Sequence, residues 1–130
     1  MTHTHKSVRL CDCNGTVEID IRRLGDALDG ADPSAFQPAR QLCGRDADAF
    51  AASLGSDDVI VGCTQEAALL RALADDAEAK AGITFINLRD IGGRSPRGSD
   101  ATPAMAARLA IARLAEPAPV PAVSYTSGGQ

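Results

Sequence analysis

The chain has 130 residues, which is the size of a single domain. Its formal net charge is -4, and it contains one Tyr, three Phe and no Trp. We expect no nucleic-acid partner, because basic patches and stacking aromatic side chains are the usual means of binding nucleic acids. The polar N-terminus is unlike a secretory signal, and no stretch approaches the roughly 18 apolar residues of a membrane span. We therefore expect a cytoplasmic protein without a membrane span.

The first half of the chain alternates between strand and helix patterns. Residues 8–11, VRLC, predict a first strand. Apolar residues at helical spacing from Val17 to Leu28 predict a helix, with Asp20 as its N-cap. Residues 38–43, PARQLC, form a weak second strand candidate that is poor in β-branched residues. Residues 46–54 predict a short helix.

The second half repeats the alternation more clearly. DVIVGC, residues 58–63, predicts a buried strand, and a helix capped by Thr64 should follow and reach about Lys80. ITFINL, residues 83–88, predicts a fourth strand. A loop rich in Gly and Arg leads to Thr102, which should cap a last helix that ends near Ala115.

Four strand–helix units predict a three-layer α/β domain of the Rossmann or flavodoxin-like type. We expect a four-stranded parallel sheet in the order 2-1-3-4, with helices on both faces. The expected organisation is a disordered leader over 1–6, the domain over 7–116 and a flexible linker over 117–130. The linker is rich in Pro and then in Gly and Ser, and it is expected to connect to a downstream region.

The four cysteines all fall at predicted strand ends. Cys11 and Cys13 follow the first strand, Cys43 ends the second and Cys63 ends the third. In a parallel sheet these ends share one edge, and in the order 2-1-3 the three tips would span about 10 Å. This edge is also where such folds bind ligands. We therefore predict that four thiols converge on one crevice.

Several centres are compatible with four converging thiols. A [4Fe–4S] cluster needs four thiolates and is wide enough for ligands from three strand tips, and a [2Fe–2S] cluster needs the same four. A structural zinc site with four cysteine ligands usually draws on C-x₂₋₄-C pairs, whereas the close pair here is C-x-C. A disulfide in metal-free protein, a thiol redox couple of Cys11 and Cys13, and a metal-free module that binds a partner or nucleotide also remain open.

Five segments in fixed order resemble a known family. They are CDCNG at 11–15, QLCG at 41–44, VIVGCTQ at 59–65, INLRD at 86–90 and AARLAIARLA at 106–115. Together they resemble the N-terminal iron-sulfur domain of the heterodisulfide reductase A subunit-like family and related bacterial 4Fe-4S binding proteins. The resemblance covers about residues 8–115.

The resemblance implies an electron-transfer domain that holds one [4Fe–4S] cluster and belongs to a larger oxidoreductase. Its partners would be downstream domains of the same polypeptide or redox-partner subunits. The implied cluster ligands are Cys11, Cys13, Cys43 and Cys63, and no catalytic residue is implied. Reductase activity is not implied, because the chain has no G-x-G-x-x-G segment for a flavin.

The arginines of the fourth strand end and of the following loop have no assigned role at this stage. Arg89 is expected either near the cluster or paired with Asp90 or a neighbouring carboxylate. Arg94 and Arg97 lie in the Gly-rich loop, where they would be available to a phosphate or to an acidic partner surface.

Overall fold

The computed structural model describes residues 6–92 and 100–129, and within them it has three strands and five α-helices. The strands are β1 (Ser7–Leu10), β2 (Val59–Gly62) and β3 (Ile83–Phe85). The helices are α1 (Ile21–Ala27), α2 (Ala47–Ala52), α3 (Ala67–Asp76), α4 (Arg89–Gly92) and α5 (Thr102–Arg113), and a short 3-10 helix spans Pro33–Phe36.

Helix starts follow the capping chemistry of the sequence only in part. The Asp20 carboxylate accepts the backbone N–H of Arg23 at 3.1 Å and caps α1 as predicted. At α5 the side chain of Asp100 accepts the N–H of Thr102 at 3.1 Å, so the cap lies before the threonine that the sequence predicts for this role. The predicted cap of α3, Thr64, lies before the start of that helix at Ala67.

The sheet is parallel and three-stranded, in the order β1-β2-β3, so the prediction of a four-stranded sheet in the order 2-1-3-4 is wrong. The predicted second strand, residues 38–43, makes a single bridge, between Ala39 and Cys11. The physical reason lies in its backbone donors. The N–H groups of Arg40 and Gln41 both donate to the carboxylate of Asp46, at 3.0 and 2.8 Å, and not to a neighbouring strand. The overall α/β class agrees with the prediction.

Two apolar clusters cover the two faces of the sheet. Side chains alternate along each strand, so Val8, Leu10 and Ile60 face one cluster while Val59 and Val61 face the other. The first cluster includes Leu24 of α1 and Leu109 of α5. The second includes Phe50 of α2 and Leu70 of α3. Helices therefore pack on both faces.

Residues 117–129 contain no helix or strand. In the part of the chain that the structure describes, no helix combines the length and the apolar composition that crossing a bilayer requires.

Candidate metal centre

The sheet register sets two of the cysteines side by side. β1 and β2 pair in parallel with Leu10 opposite Gly62, so the next residues, Cys11 and Cys63, leave the sheet at the same edge. Cys43 lies in the turn that follows the Ala39 bridge to Cys11. The predicted second strand is absent, yet its segment, which ends at Cys43, still reaches this edge through the Ala39 bridge.

A cavity of about 300 Å³ opens at this edge, at the lower end of the size range of ligand pockets. Three cysteines line it: Cys11, Cys13 and Cys63. Its polar wall consists of Thr64, Gln65, Asn87, Arg89 and Asp90. Val17, Gly62 and Leu88 supply the apolar part of the lining. Cys43 is outside the lining.

The surroundings of the Cys43 thiol shift its pKa. Burial raises the pKa of the Cys43 thiol, and a hydrogen bond with its own backbone opposes this shift. The charges of Cys63, Cys11 and Glu66 raise that pKa further. This shift disfavours the Cys43 thiolate, which is the form that metal ligation requires.

The C-x-C segment folds into a left-handed turn. Cys13, Asn14 and Gly15 have φ of 52°, 58° and 81°, a region that residues with a side chain rarely occupy. The side chain of Asp12 accepts the N–H of Gly15 at 2.9 Å. The backbone carbonyl of Asp12 accepts the N–H of Val17 at 2.9 Å. These bonds hold the two cysteines of the turn at the mouth of the cavity.

Two hydrogen bonds define the surroundings of the buried Cys11 sulfur. The backbone N–H of Cys13 donates to Cys11 Sγ at 3.4 Å, and the Cys11 thiol donates to the carbonyl of Arg40 at 3.6 Å. The first bond stabilises a thiolate as well as a thiol. The second requires the proton, so Cys11 must give up this bond to become a metal ligand.

A polar link joins the C-x-C turn to the segment that carries Cys43. The Arg40 guanidinium lies 3.2 Å from the Asp12 carboxylate, and the Arg40 carbonyl accepts the N–H of Asn14 at 2.6 Å. The Arg40 N–H is in turn held by Asp46. The sequence reasoning missed this link. The turn-forming composition of DCNG indicates that the Asp12 side chain takes part in a turn. No local pattern indicates the contacts of Arg40 and Asp46.

Arg89 lies in the wall of the cavity and spans it. Its guanidinium donates to Gln65 Oε1 at 3.2 Å and to Thr16 Oγ1 at 2.9 Å. Asp90, the alternative partner, accepts a bond from the side-chain amide of Asn87 at 2.6 Å. Arg89 thus shares the cavity lining with three cysteines and forms no ion pair with Asp90 in the part of the chain that the structure describes.

The two arginines that the sequence places in the Gly-rich loop, Arg94 and Arg97, lie outside the described residues.

All four cysteines are free thiols, and three of them line the cavity. A [4Fe–4S] cluster takes four thiolates. Over residues 6–92 and 100–129, no three His, Cys, Asp or Glu side chains are grouped so as to hold a metal ion. The thiols therefore share an edge without meeting at one point. The sulfur ligands of a single zinc ion, with bonds of about 2.3 Å, must lie closer together than those of a cluster, whose ligands are spread over four irons.

No family model, curated protein or solved structure matches this chain. The resemblance to the iron-sulfur domain family therefore stays a prediction that rests on the five segments and their spacing.

Proposed function

We propose that this chain is an electron-transfer domain that binds one [4Fe–4S] cluster as part of a larger redox protein. The cluster ligands in this proposal are Cys11, Cys13, Cys43 and Cys63. When bound, the cluster supplies one-electron transfer, and no substrate bond is made or broken in this domain.

One observation carries the proposal: all four cysteines of the chain lie at the carboxyl edge of one small sheet. Cys11, Cys13 and Cys63 line a single cavity. Cys43 lies in the turn that follows the bridge between Ala39 and Cys11. Four thiols reach this edge from three separate loops, and the chain has no other cysteine.

The residues of the chain have distinct tasks in this proposal. The thiolates hold iron, and the Cys13 N–H donates to the Cys11 sulfur. Hydrogen bonds to ligand sulfurs stabilise the more negative, reduced state and raise the reduction potential. The left-handed turn at Cys13 keeps this N–H directed at the sulfur. The apolar residues Val17 and Leu88 limit water on the inner side of the cavity.

The proposal also places the domain in the cytoplasm. All four thiols are unpaired in the structure, and a reducing compartment maintains that state. Its electron partners would be downstream domains of the same polypeptide or separate redox subunits.

Anaerobic reconstitution of the reduced chain with iron and sulfide tests the proposal. We expect about four irons and four sulfides per chain and a broad visible absorption band, the composition of a cubane cluster. About two irons would identify a [2Fe–2S] centre. One tightly bound zinc per chain in place of iron, or no metal at all, would contradict iron-sulfur binding.

Single substitutions test the ligand assignment. Cys43→Ser and Cys63→Ser should each prevent retention of four irons, because each removes one of four thiolates. Thr64→Ser is the matched control, since it alters an exposed residue of the same cavity without removing a thiol. Full iron content in both cysteine variants would show that the ligand set is wrong.

A further inference from the structure

We infer that Arg89 is a positioning residue of the proposed cluster site, with two effects. It fixes the distance between two ligand loops, and its charge raises the reduction potential. This inference rests on the proposed function and assigns to that site a residue that is not an iron ligand.

The first effect follows from the hydrogen bonds of the guanidinium. One nitrogen donates to Gln65, two residues after Cys63, and the other donates to Thr16, three residues after Cys13. The Thr16 hydroxyl donates onward to the Cys13 carbonyl at 2.8 Å. A guanidinium is planar and rigid, so this one group joins the loop of Cys13 to the loop of Cys63.

The second effect follows from charge. Arg89 is half-buried and shares the cavity wall with Cys11, Cys13 and Cys63. Reduction adds one negative charge to a centre that already carries four thiolates. A nearby positive charge therefore stabilises the reduced state more than the oxidised state and raises the potential.

Arg89 differs in this respect from the two other arginines near the cysteine loops. Arg40 lies 3.2 Å from the Asp12 carboxylate, and Arg45 lies 3.9 Å from the Asp46 carboxylate. Arg89 has no ion pair with any residue that the structure describes, and the two side chains that accept its hydrogen bonds are neutral. Its charge is therefore not held in an ion pair there, although the Asp90 carboxylate shares the same cavity wall.

Four variants of the reconstituted chain separate charge from geometry. Arg89→Gln removes the charge. Arg89→Lys keeps the charge, but a single ammonium group cannot reproduce the rigid two-armed bridge. Thr16→Val removes one arm of the bridge and leaves the charge. Arg108→Gln is the matched control, because it removes the same charge from an exposed position on α5.

The measurements are the midpoint potential, from anaerobic redox titration of the visible absorption, and the rate of iron release to a chelator. We expect Arg89→Gln to lower the midpoint potential. At a given solution potential the ratio of reduced to oxidised centre should fall about tenfold, which corresponds to 59 mV for one electron. Arg89→Lys and Thr16→Val should release iron several-fold faster while their potentials stay near that of the wild type. Arg108→Gln should match the wild type in both measurements.

A further variant keeps the charge test available if Arg89→Gln retains no cluster. Gln65→Glu places a carboxylate 3.2 Å from the guanidinium and keeps the bridge intact. It should lower the potential, as Arg89→Gln does.

The outcomes distinguish this inference from the proposed function. A wild-type chain that takes up no cluster overturns both. A wild-type chain with four irons, together with an Arg89→Gln potential equal to that of Arg108→Gln, overturns the charge effect alone. Unchanged iron release in Arg89→Lys and Thr16→Val overturns the bridging effect.

Discussion

Cys43 differs from the other three cysteines in its surroundings. It lies in the turn before α2, outside the cavity lining, and burial is the largest cause that raises the pKa of its thiol. Metal binding requires the thiolate, so this cysteine loses its proton less readily than a free cysteine at a given pH. Ligation by Cys43 releases that proton, and cluster assembly should become more favourable as the pH rises.

The raised pKa of Cys43 gives a prediction for the metal-free, reduced chain. The thiolate is the reactive form, and a raised pKa means a smaller thiolate fraction at any pH below it. The rate of alkylation of Cys43 by iodoacetamide should therefore rise with pH along a curve that lies at higher pH than in the urea-unfolded chain. Peptide mass spectrometry after timed alkylation measures this rate.

Two further cysteine variants provide the controls for this titration. Cys63→Ser should move the Cys43 pKa toward its ordinary value, because a neutral hydroxyl replaces a group whose charge opposes the thiolate. Cys13→Ser removes a thiol that is not among the causes of the shift and should leave the curve in place. A Cys43 curve that coincides with that of the unfolded chain would contradict the prediction.

At the scale of elements, residues 38–43 show where sequence reasoning fails. The alternation of strand and helix predicted β1, β2, β3, α1 and α5, because local apolar periodicity determines such elements. Whether residues 38–43 form a strand depends on the side chain of Asp46, three residues beyond the end of the segment. The Asp46 carboxylate accepts the backbone N–H groups that pairing with a neighbouring strand would use. The apolar periodicity of the segment does not indicate this competition.

Asp46 therefore organises the segment that carries Cys43. We predict that Asp46→Ala lowers the free energy of unfolding by about 1–2 kcal/mol, because two backbone donors lose a charged acceptor. Asp46→Asn should cost less, since the amide oxygen still accepts. Urea unfolding followed by circular dichroism gives the difference between the variants and the wild type.

Asp57→Ala is the matched control, since the Asp57 side chain is exposed and forms no hydrogen bond or ion pair with the described residues. It should stay within about 0.5 kcal/mol of the wild type. Equal stability of Asp46→Ala and Asp57→Ala would mean that the carboxylate does not hold residues 40 and 41.

At the scale of the whole molecule, the candidate site adjoins the core. Cys11 belongs to the second apolar cluster, and Val17 and Leu88 belong both to the first cluster and to the cavity lining. The position of Cys11 and Cys63 at one edge follows from parallel strand direction and was predictable. Cys43 ends no strand and lies outside the cavity lining, so strand direction does not account for its position. The link of Asp12, Arg40 and Asp46 and the bridge made by Arg89 were not predictable. They join residues that are distant in sequence, and no short motif encodes such contacts.

Most of the core nevertheless packs without contact with the cavity. The two apolar clusters cover the faces of the sheet, and most of their residues lie outside the cavity lining. Small zinc domains behave differently, because their metal replaces a core and its removal unfolds them. The metal-free chain should therefore remain folded.

The last prediction tests this independence. With a chelator and a reductant present, the chain should keep its helical circular dichroism and unfold in one cooperative transition.

Leu109→Ala should lower the free energy of unfolding by about 2–5 kcal/mol, because Leu109 is fully buried between α5 and the sheet and its loss leaves a cavity. Cys63→Ser, at the half-buried edge, should change it by less than about 1 kcal/mol. If the metal-free chain lacks a cooperative transition, or if the two substitutions cost the same, the edge and the core are one unit and the metal is required for folding.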